Sequence, residues 1–278
     1  MIEAENRRRE ILEEGSWRRV ATLNAWHDKE SLEERNESAG NLIKDLGCEL
    51  VFLQEIPRED PNKALDTIET TSGLRTVAFE EGDITCTAIL AKEGRAHEGI
   101  EVRHIDTSVR YAVAESRLGE YKVIVCSAHQ PWGGWAENLR VRGAIKTNQE
   151  LSKKEGFDGI LLGGDFNALE NSLSIQYLKG LIPVEGECAQ WTDCFEISGV
   201  GDGYTSSPEN HWARMVGESR GLEESWFLPQ RRIDYIFIKG YARGGVFTPL
   251  RTFVQKTTLN GGIYPSDHWM VVADLYVP

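Results

Sequence analysis

Two stretches far apart in the chain end in the same way. Residues 48–56 read CELVFLQEI and residues 159–167 read GILLGGDFN. Each carries a short apolar run, of the length of a buried strand, into a polar end: Glu55 in the first, Asp165 and Asn167 in the second. Each run is also preceded by a helical stretch and, before that, by another strand. WRRVATLNAW (17–26) ends near Asn24, and Leu32, Ala39, Leu42, Ile43 and Leu46 then recur at helical spacing until Gly47, a helix stop. YKVIVCSAHQP (121–131) ends near His129, and Leu139, Ile145 and Leu151 mark a helix over about 136–154, broken by Gly156 and Gly159. Strand, helix, strand, twice over, requires an α/β fold in which functional groups sit at strand ends.

The rest of the chain fills in around this plan. Residues 85–92, 100–106 and 110–118 read as strands in a meander, and 232–240 and 268–277 as two more. The stretch 181–230 has little periodicity and is longer than loops normally are, which points to a functional surface or to elements with weak patterns. No linker divides the chain. Residues 1–16 read as a charged helix ending at Gly15, and 17–278 as one domain of two packed sheets with outer helices. With 278 residues, 40% of them hydrophobic, a core of that size is within reach. No apolar run is long enough to span a membrane, and the opening segment interleaves acids with arginines, unlike a signal peptide. A cytoplasmic location is therefore the expectation. The five cysteines form no C-x-x-C pair, and Cys48, Cys86 and Cys126 lie in or beside apolar segments, as buried free thiols do.

The strand ends collect Asn24, Glu55, His129, Asp165, Asn167, Asp234, Asp267 and His268. A set rich in carboxylate and amide oxygen suits a hard divalent cation, Mg2+ with Mn2+ able to substitute, whereas zinc recruits more histidine or cysteine. Such a cation's work is to bind a phosphoryl oxygen and offset the charge of in-line attack. The net charge of −13, from 31 basic and 44 acidic residues, argues against avid non-specific DNA binding. It leaves room for a phosphate received by a metal in an acidic cleft.

TLNAW, FLQE, SAHQP, GGDFN, RRIDYIF and SDH occur in the order, and at about the spacing, of the endonuclease/exonuclease/phosphatase superfamily, the DNase I-like phosphoesterases, which the chain resembles over residues 17–278. The resemblance implies a four-layer sandwich of two mixed β-sheets flanked by helices, with the strand ends of both sheets at one cleft. It implies a divalent-metal-dependent hydrolase of phosphodiester bonds, a nuclease acting by direct water attack. The alternative is a phosphatase or phosphodiesterase on a nucleotide, sugar phosphate or lipid headgroup. Carried onto these residues, Glu55 is the principal metal ligand, with Asn24 beside it and Asp267 completing the site. Asp165 lies beside the attacking nucleophile, and Asn167 helps hold nucleophile or phosphate. His268 contacts the scissile phosphate with Asp234 as its carboxylate partner, and His129 is a second phosphate-contacting histidine. One-metal and two-metal schemes are both compatible with this set.

On the substrate side, the resemblance points to Thr205 and Asn210 within GYTSSPEN, although Ser206 stands where the family has tryptophan, and to Arg110 and Tyr111 at the start of a strand. Trp132 sits among glycines beside the His129 loop, where an exposed ring stacks on a base. Arg140, Arg142 and Lys146 are basic candidates for phosphate contact, and the loops near 56–84, 131–138 and 181–230 are where substrate choice is expected. His27, His97, His104 and His211 match no motif and read as solvent-facing or structural. GILLGGDFN itself predicts two glycines that turn the backbone and approach a ligand.

Overall fold

The computed structural model describes residues 2–93, 110–221, 228–239, 246–258 and 262–278. In chain order the elements are α1 (Ile2–Glu14), β1 (Trp17–Asn24), α2 (Leu32–Leu46), β2 (Leu50–Pro57), α3 (Pro61–Ser72), β3 (Leu74–Glu80), β4 (Thr85–Lys92), β5 (Arg110–Leu118), β6 (Tyr121–His129), α4 (Glu137–Ser152), β7 (Gly159–Asp165), α5 (Leu173–Leu178), β8 (Trp191–Asp193), α6 (Cys194–Ser198), β9 (Gly199–Val200), α7 (His211–Ser219), β10 (Asp234–Lys239), β11 (Thr248–Gln255) and β12 (Met270–Tyr276).

Seven strands form one sheet in the order β3-β4-β2-β1-β12-β11-β9, and five form the other in the order β5-β6-β7-β10-β8. Strands such as β2 and β7 are apolar on both faces because both faces are covered. Between the sheets lie Val20, Phe52 and Ile89 from one and Val125, Leu161 and Ile236 from the other. Leu23, Val51 and Leu53 face Leu42 and Ile43 of α2 and Leu65 and Ile68 of α3. Ile124, Leu162 and Phe237 face Ala144 and Leu151 of α4 and Ile175 of α5. Three apolar layers thus separate four layers of secondary structure, the sandwich that the resemblance implied. No helix among the described residues is long and apolar enough to cross a membrane.

Most elements fall where the pattern placed them. α2 closes at Gly47, whose φ of 68° lets its amide return to the carbonyls of Ile43 and Lys44. Cys48, Cys86 and Cys126 are buried free thiols. Other expectations need correction. The supposed meander is split: β4 pairs with β2 and β3 in the larger sheet, while β5 pairs with β6 in the smaller, and 100–106 lies outside the described residues. Much of 56–84 is not loop, because Asp60 caps α3 by accepting from the Lys63 amide and β3 comes directly after that helix. The unpatterned stretch 181–230 holds β8, α6, β9 and α7.

The two glycines of GILLGGDFN serve packing, not a ligand. A Cβ on Gly163 would stand 2.2 Å from the Phe52 ring of the opposite sheet. On Gly164 it would stand 1.9 Å from the Ala128 carbonyl oxygen in the adjacent strand. Their absent side chains let Phe52 fill the middle layer and let β7 lie close against β6.

Candidate active site

Strand register brings the polar ends together. β6 and β7 run parallel with His129 opposite Asp165, and β10 runs antiparallel to β7 with Asp234 opposite Asp165. His129, Asp165 and Asp234 therefore stand in a row across one end of the smaller sheet. In the larger sheet Asn24 lies opposite Gln54. Glu55 comes next, on a bulge where the pairing of β2 with β4 slips between Leu53 and Ile56. Its φ of 54° is left-handed, as is that of Asn167 at 47°. Non-glycine residues in this region cost of order 1–3 kcal/mol each, and such strain concentrates where a side chain must be aimed. A buried polar chain ties the two sheets just below: Thr22 Oγ1 donates to Gln54 Oε1 (3.3 Å), Gln54 Nε2 to Ser127 Oγ (2.9 Å), and Ser127 Oγ to the Leu53 carbonyl (3.1 Å).

Asn24 is the hub. Its Nδ2 donates to Glu55 Oε1 and to Asp165 Oδ2, both at 3.0 Å, while its Oδ1 accepts from the Trp26 amide at 2.9 Å. Glu55 Oε2 meets His27 Nδ1 at 2.7 Å, and its Oε1 lies 3.5 Å from His129 Nε2. Burial opposes charge on Glu55, but the contacts from His27, His129 and Asn24 outweigh it and hold the carboxyl down at about 2. Asp165 accepts from the Asn167 amide (2.8 Å) and from Asn167 Nδ2 (3.0 Å), and stands 3.7 Å from His129 Nε2. Burial, then the charge of Asp234, raises its pKa despite the opposing pull of His268.

The second cluster is a paired imidazole. His268 Nδ1 lies 2.9 Å from Asp234 Oδ2, and both residues are buried. Burial disfavours the charged ring, but Asp234, Asp267 and Asp165 together raise its pKa well above the ordinary 6.5 and so favour the protonated ring. Ser266 Oγ accepts from the His268 amide at 3.0 Å and donates to Asp267 Oδ1 at 3.2 Å, and burial raises Asp267 above the usual carboxylate range. A cleft of about 490 Å³ opens over these groups, lined by His27, Glu55, Asp165, Asn167, Asp267 and His268.

The residues present fit a divalent cation. Donor atoms of Glu55, His129 and Asp165 lie within 4.8 Å of one another, as do those of Asp165, Asp234 and His268. Burial raises the pKa of both Asp165 and Asp267, a cost of charge that a bound cation would offset. Among the described residues, Asp234 Oδ1 is buried without a hydrogen-bond partner, a further oxygen left over at the site. Glu55, Asp165 and Asp267 are the carboxylates that line the cleft among the described residues.

All eight strand-end residues gather here, but the expected substrate-side residues divide. Trp132 lines the cleft. Thr205 and Asn210 are wholly buried and build the site from beneath: Thr205 Oγ1 accepts from the amides of Ile233 (3.2 Å) and Asp234 (3.3 Å), and Asn210 donates to the Ser266 carbonyl (2.8 Å) while capping α7. Tyr111 is buried against the outer helices with Ile124 and Leu162, which leaves it no surface for substrate. Arg110 pairs through its backbone with His129, and its side chain lies outside the described residues. Arg140, expected as a phosphate candidate, is buried and donates to the carbonyls of Pro131 and Gly133.

Two residues of the site have no motif. His27, expected to be solvent-facing or structural, sits on Glu55 and lines the cleft. Its only signal in the sequence is its place three residues beyond Asn24. Arg35, fully buried in α2, donates to the carbonyls of Ala25 (3.0 Å), Trp26 (2.9 Å), Asp28 and Pro265 (3.4 Å), pinning the loop after β1 to the segment before Asp267. Burial lowers its pKa to about 10. His97 and His104 lie outside the described residues, and His211 is exposed, its ring 4.2 Å from that of Trp212 and tilted by 40°.

Two mixed sheets packed face to face under outer helices, with strand ends of both at one cleft, define the DNase I-like α/β sandwich, the fold of the endonuclease/exonuclease/phosphatase superfamily. Among solved structures, the chain is similar to truncated Caenorhabditis elegans TDP2 (TM-score 0.70, 19% identity, covering 95% of this chain and 99% of that one). It is similar to D. rerio TDP2 complexed with a single-strand DNA product (TM-score 0.71, 17% identity, 93% and 98%). A third is an endonuclease/exonuclease/phosphatase protein from Bacteroides vulgatus (TM-score 0.68, 15% identity, 94% and 99%). No family model matches the chain, and no curated protein matches it in sequence.

Proposed function

We propose that the chain is a divalent-metal-dependent phosphodiesterase that cleaves nucleic acid by direct attack of water. The observation that carries this reading is the meeting, at one cleft, of three carboxylates, Glu55, Asp165 and Asp267, with a histidine whose Nδ1 is held by Asp234. The TDP2 structure with single-strand DNA product on the same fold supports nucleic acid as the substrate.

Glu55, with Asp267, would hold Mg2+ or Mn2+, which supplies Lewis-acid stabilisation of the phosphoryl oxygen, while Asn24, expected as a ligand, instead orients Glu55 and Asp165 through its Nδ2, its Oδ1 being taken by the Trp26 amide. Asp165 accepts the proton of the attacking water. Its raised pKa brings it nearer the working pH than an ordinary carboxylate, and Asn24 and Asn167 fix its Oδ2 at 3.0 Å from each amide nitrogen. With Nδ1 turned to Asp234, His268 is left its Nε2–H to donate to a non-bridging oxygen, where negative charge builds in the transition state. His129, between Glu55 and Asp165, is a second donor to the phosphate.

The test is turnover of single-stranded DNA, RNA, nucleotides, a sugar phosphate and a phospholipid headgroup ester, each with Mg2+, Mn2+ and EDTA. Metal-dependent cleavage of a polynucleotide, abolished by Asp165→Ala, is the expected result. Absence of metal-dependent turnover on every substrate would overturn the proposal.

A further inference from the structure

Trp132 is 63% exposed at the rim of the cleft, and single exposed aromatics need no explanation in themselves. Its mounting does. Arg140, only 5% exposed, aims Nη1 at the carbonyls of Pro131 and Gly133, each at 2.8 Å, and Nε at Glu137, also at 2.8 Å. On the other side, Asn167 Nδ2 donates to the Gln130 carbonyl (3.1 Å), and the Gln130 amide donates to the Asp165 carbonyl (2.9 Å). The residues flanking Trp132 are thus tied down, and one of the ties is to the strand end that carries Asp165. A buried guanidinium holds a loop whose tip presents an indole to water, which nothing in the packing of the fold requires.

Charge around this indole is also distinctive. The Arg220 guanidinium lies 5.1 Å from the centre of the Trp132 ring, and Arg220 and Arg231 both line the cleft and are exposed. Among the described residues neither has a carboxylate partner. In the neighbouring groove between α2 and α3, of about 770 Å³, the cations Lys29, Arg58 and Lys63 are instead neutralised by Glu59, Glu81 and Glu33. In a chain of net charge −13, two guanidiniums facing the cleft without an acid are placed to meet an anion from outside.

We propose that Trp132, Arg220 and Arg231 form a nucleotide subsite. The open face of the indole stacks the base next to the scissile phosphate, and the two guanidiniums take the flanking phosphates. The inference rests on the phosphodiesterase reading for the position of the scissile bond. It makes these three residues the determinants that select a polynucleotide strand over a sugar phosphate or a lipid headgroup, since neither of those offers an aromatic face.

The experiment uses a short single-stranded oligonucleotide and the same strand with abasic residues. Binding is measured in EDTA by intrinsic tryptophan fluorescence, so that turnover is not needed. The base-bearing strand is expected to quench fluorescence and to bind roughly tenfold more tightly than the abasic one. Trp132→Leu should remove both the quench and the preference, while Trp132→Phe restores the preference. Arg220→Ala and Arg231→Ala should each lower the slope of log affinity against log salt by about 0.7. Equal binding of the two strands by the wild type, or unchanged preference in Trp132→Leu, overturns the subsite. Cleavage with Mn2+ but no preference for bases also overturns it and leaves the phosphodiesterase reading standing. Trp132-dependent binding without cleavage supports the subsite and overturns that reading.

Discussion

Asp234→Asn tests how the site holds its proton. The substitution keeps the size of a buried side chain and removes its charge. Asn can still offer an amide oxygen to His268 Nδ1, now 2.9 Å from Asp234 Oδ2, so the loss is chiefly electrostatic. Two unit charges about 4 Å apart interact by about 4 kcal/mol at an effective permittivity of about 20, which sets the scale of the coupling removed. Asp267 and Asp165 still face the ring, and the retained hydrogen bond offsets part of the loss, so the pKa of His268 falls but stays supported by those two carboxylates. Asp165 also loses the repulsion of Asp234, and its raised pKa falls too. The sign is therefore the same for both groups. The alkaline limb of kcat/KM, where His268 loses its proton, and the acid limb, where Asp165 gains one, both move to lower pH. Relative to wild type, activity should fall progressively more as pH rises, and least near pH 6. The assay is kcat/KM against pH on an oligonucleotide with saturating Mn2+. A variant profile parallel to wild type, lower everywhere with both limbs in place, would refute the reasoning.

Other perturbations probe the supports. Mn2+ or Mg2+ at about 100 times its dissociation constant should stabilise the fold by about 2.7 kcal/mol, a rise in Tm of about 5 °C or more by thermal shift, and Glu55→Gln should abolish the rise. Gly163→Ala forces a methyl into the Phe52 ring and should cost about 1–3 kcal/mol in urea unfolding, part of it recovered when Phe52→Leu is added. Thr205→Val leaves the amides of Ile233 and Asp234 without their acceptor and should cost about 1–3 kcal/mol, with kcat reduced more than KM is raised, because Asp234 shifts under His268.

Much of this architecture is legible in the sequence because strands covered on both faces leave continuous apolar runs, and the polar residue that closes such a run stands at a sheet's end. That is why pattern and motif order locate Glu55, His129, Asp165 and Asp234 without any geometry. Which sheet a strand joins depends on partners far away in the chain, so β4 and β5 read as one meander though they belong to different sheets. β3 escapes notice because its burial alternates irregularly, and β8, α6 and β9 because they are too short for a period to show. In the site, sequence does not distinguish a polar residue that lines a cleft from one that braces it. Thr205 and Asn210 therefore read as substrate contacts although both are fully buried. His27 and Arg35 work through loop positions that only the folded chain brings beside Glu55 and Pro265. The glycine pair suggests backbone freedom, when the cause is the Phe52 ring and the Ala128 carbonyl pressing from outside.

The most direct measurement of the central claim is anomalous diffraction from crystals soaked in Mn2+ with inorganic phosphate. A manganese peak is expected at about 2.1 Å from a Glu55 oxygen, with the phosphate between it and His268. A peak away from Glu55, or cleavage of DNA undiminished in EDTA, would contradict it.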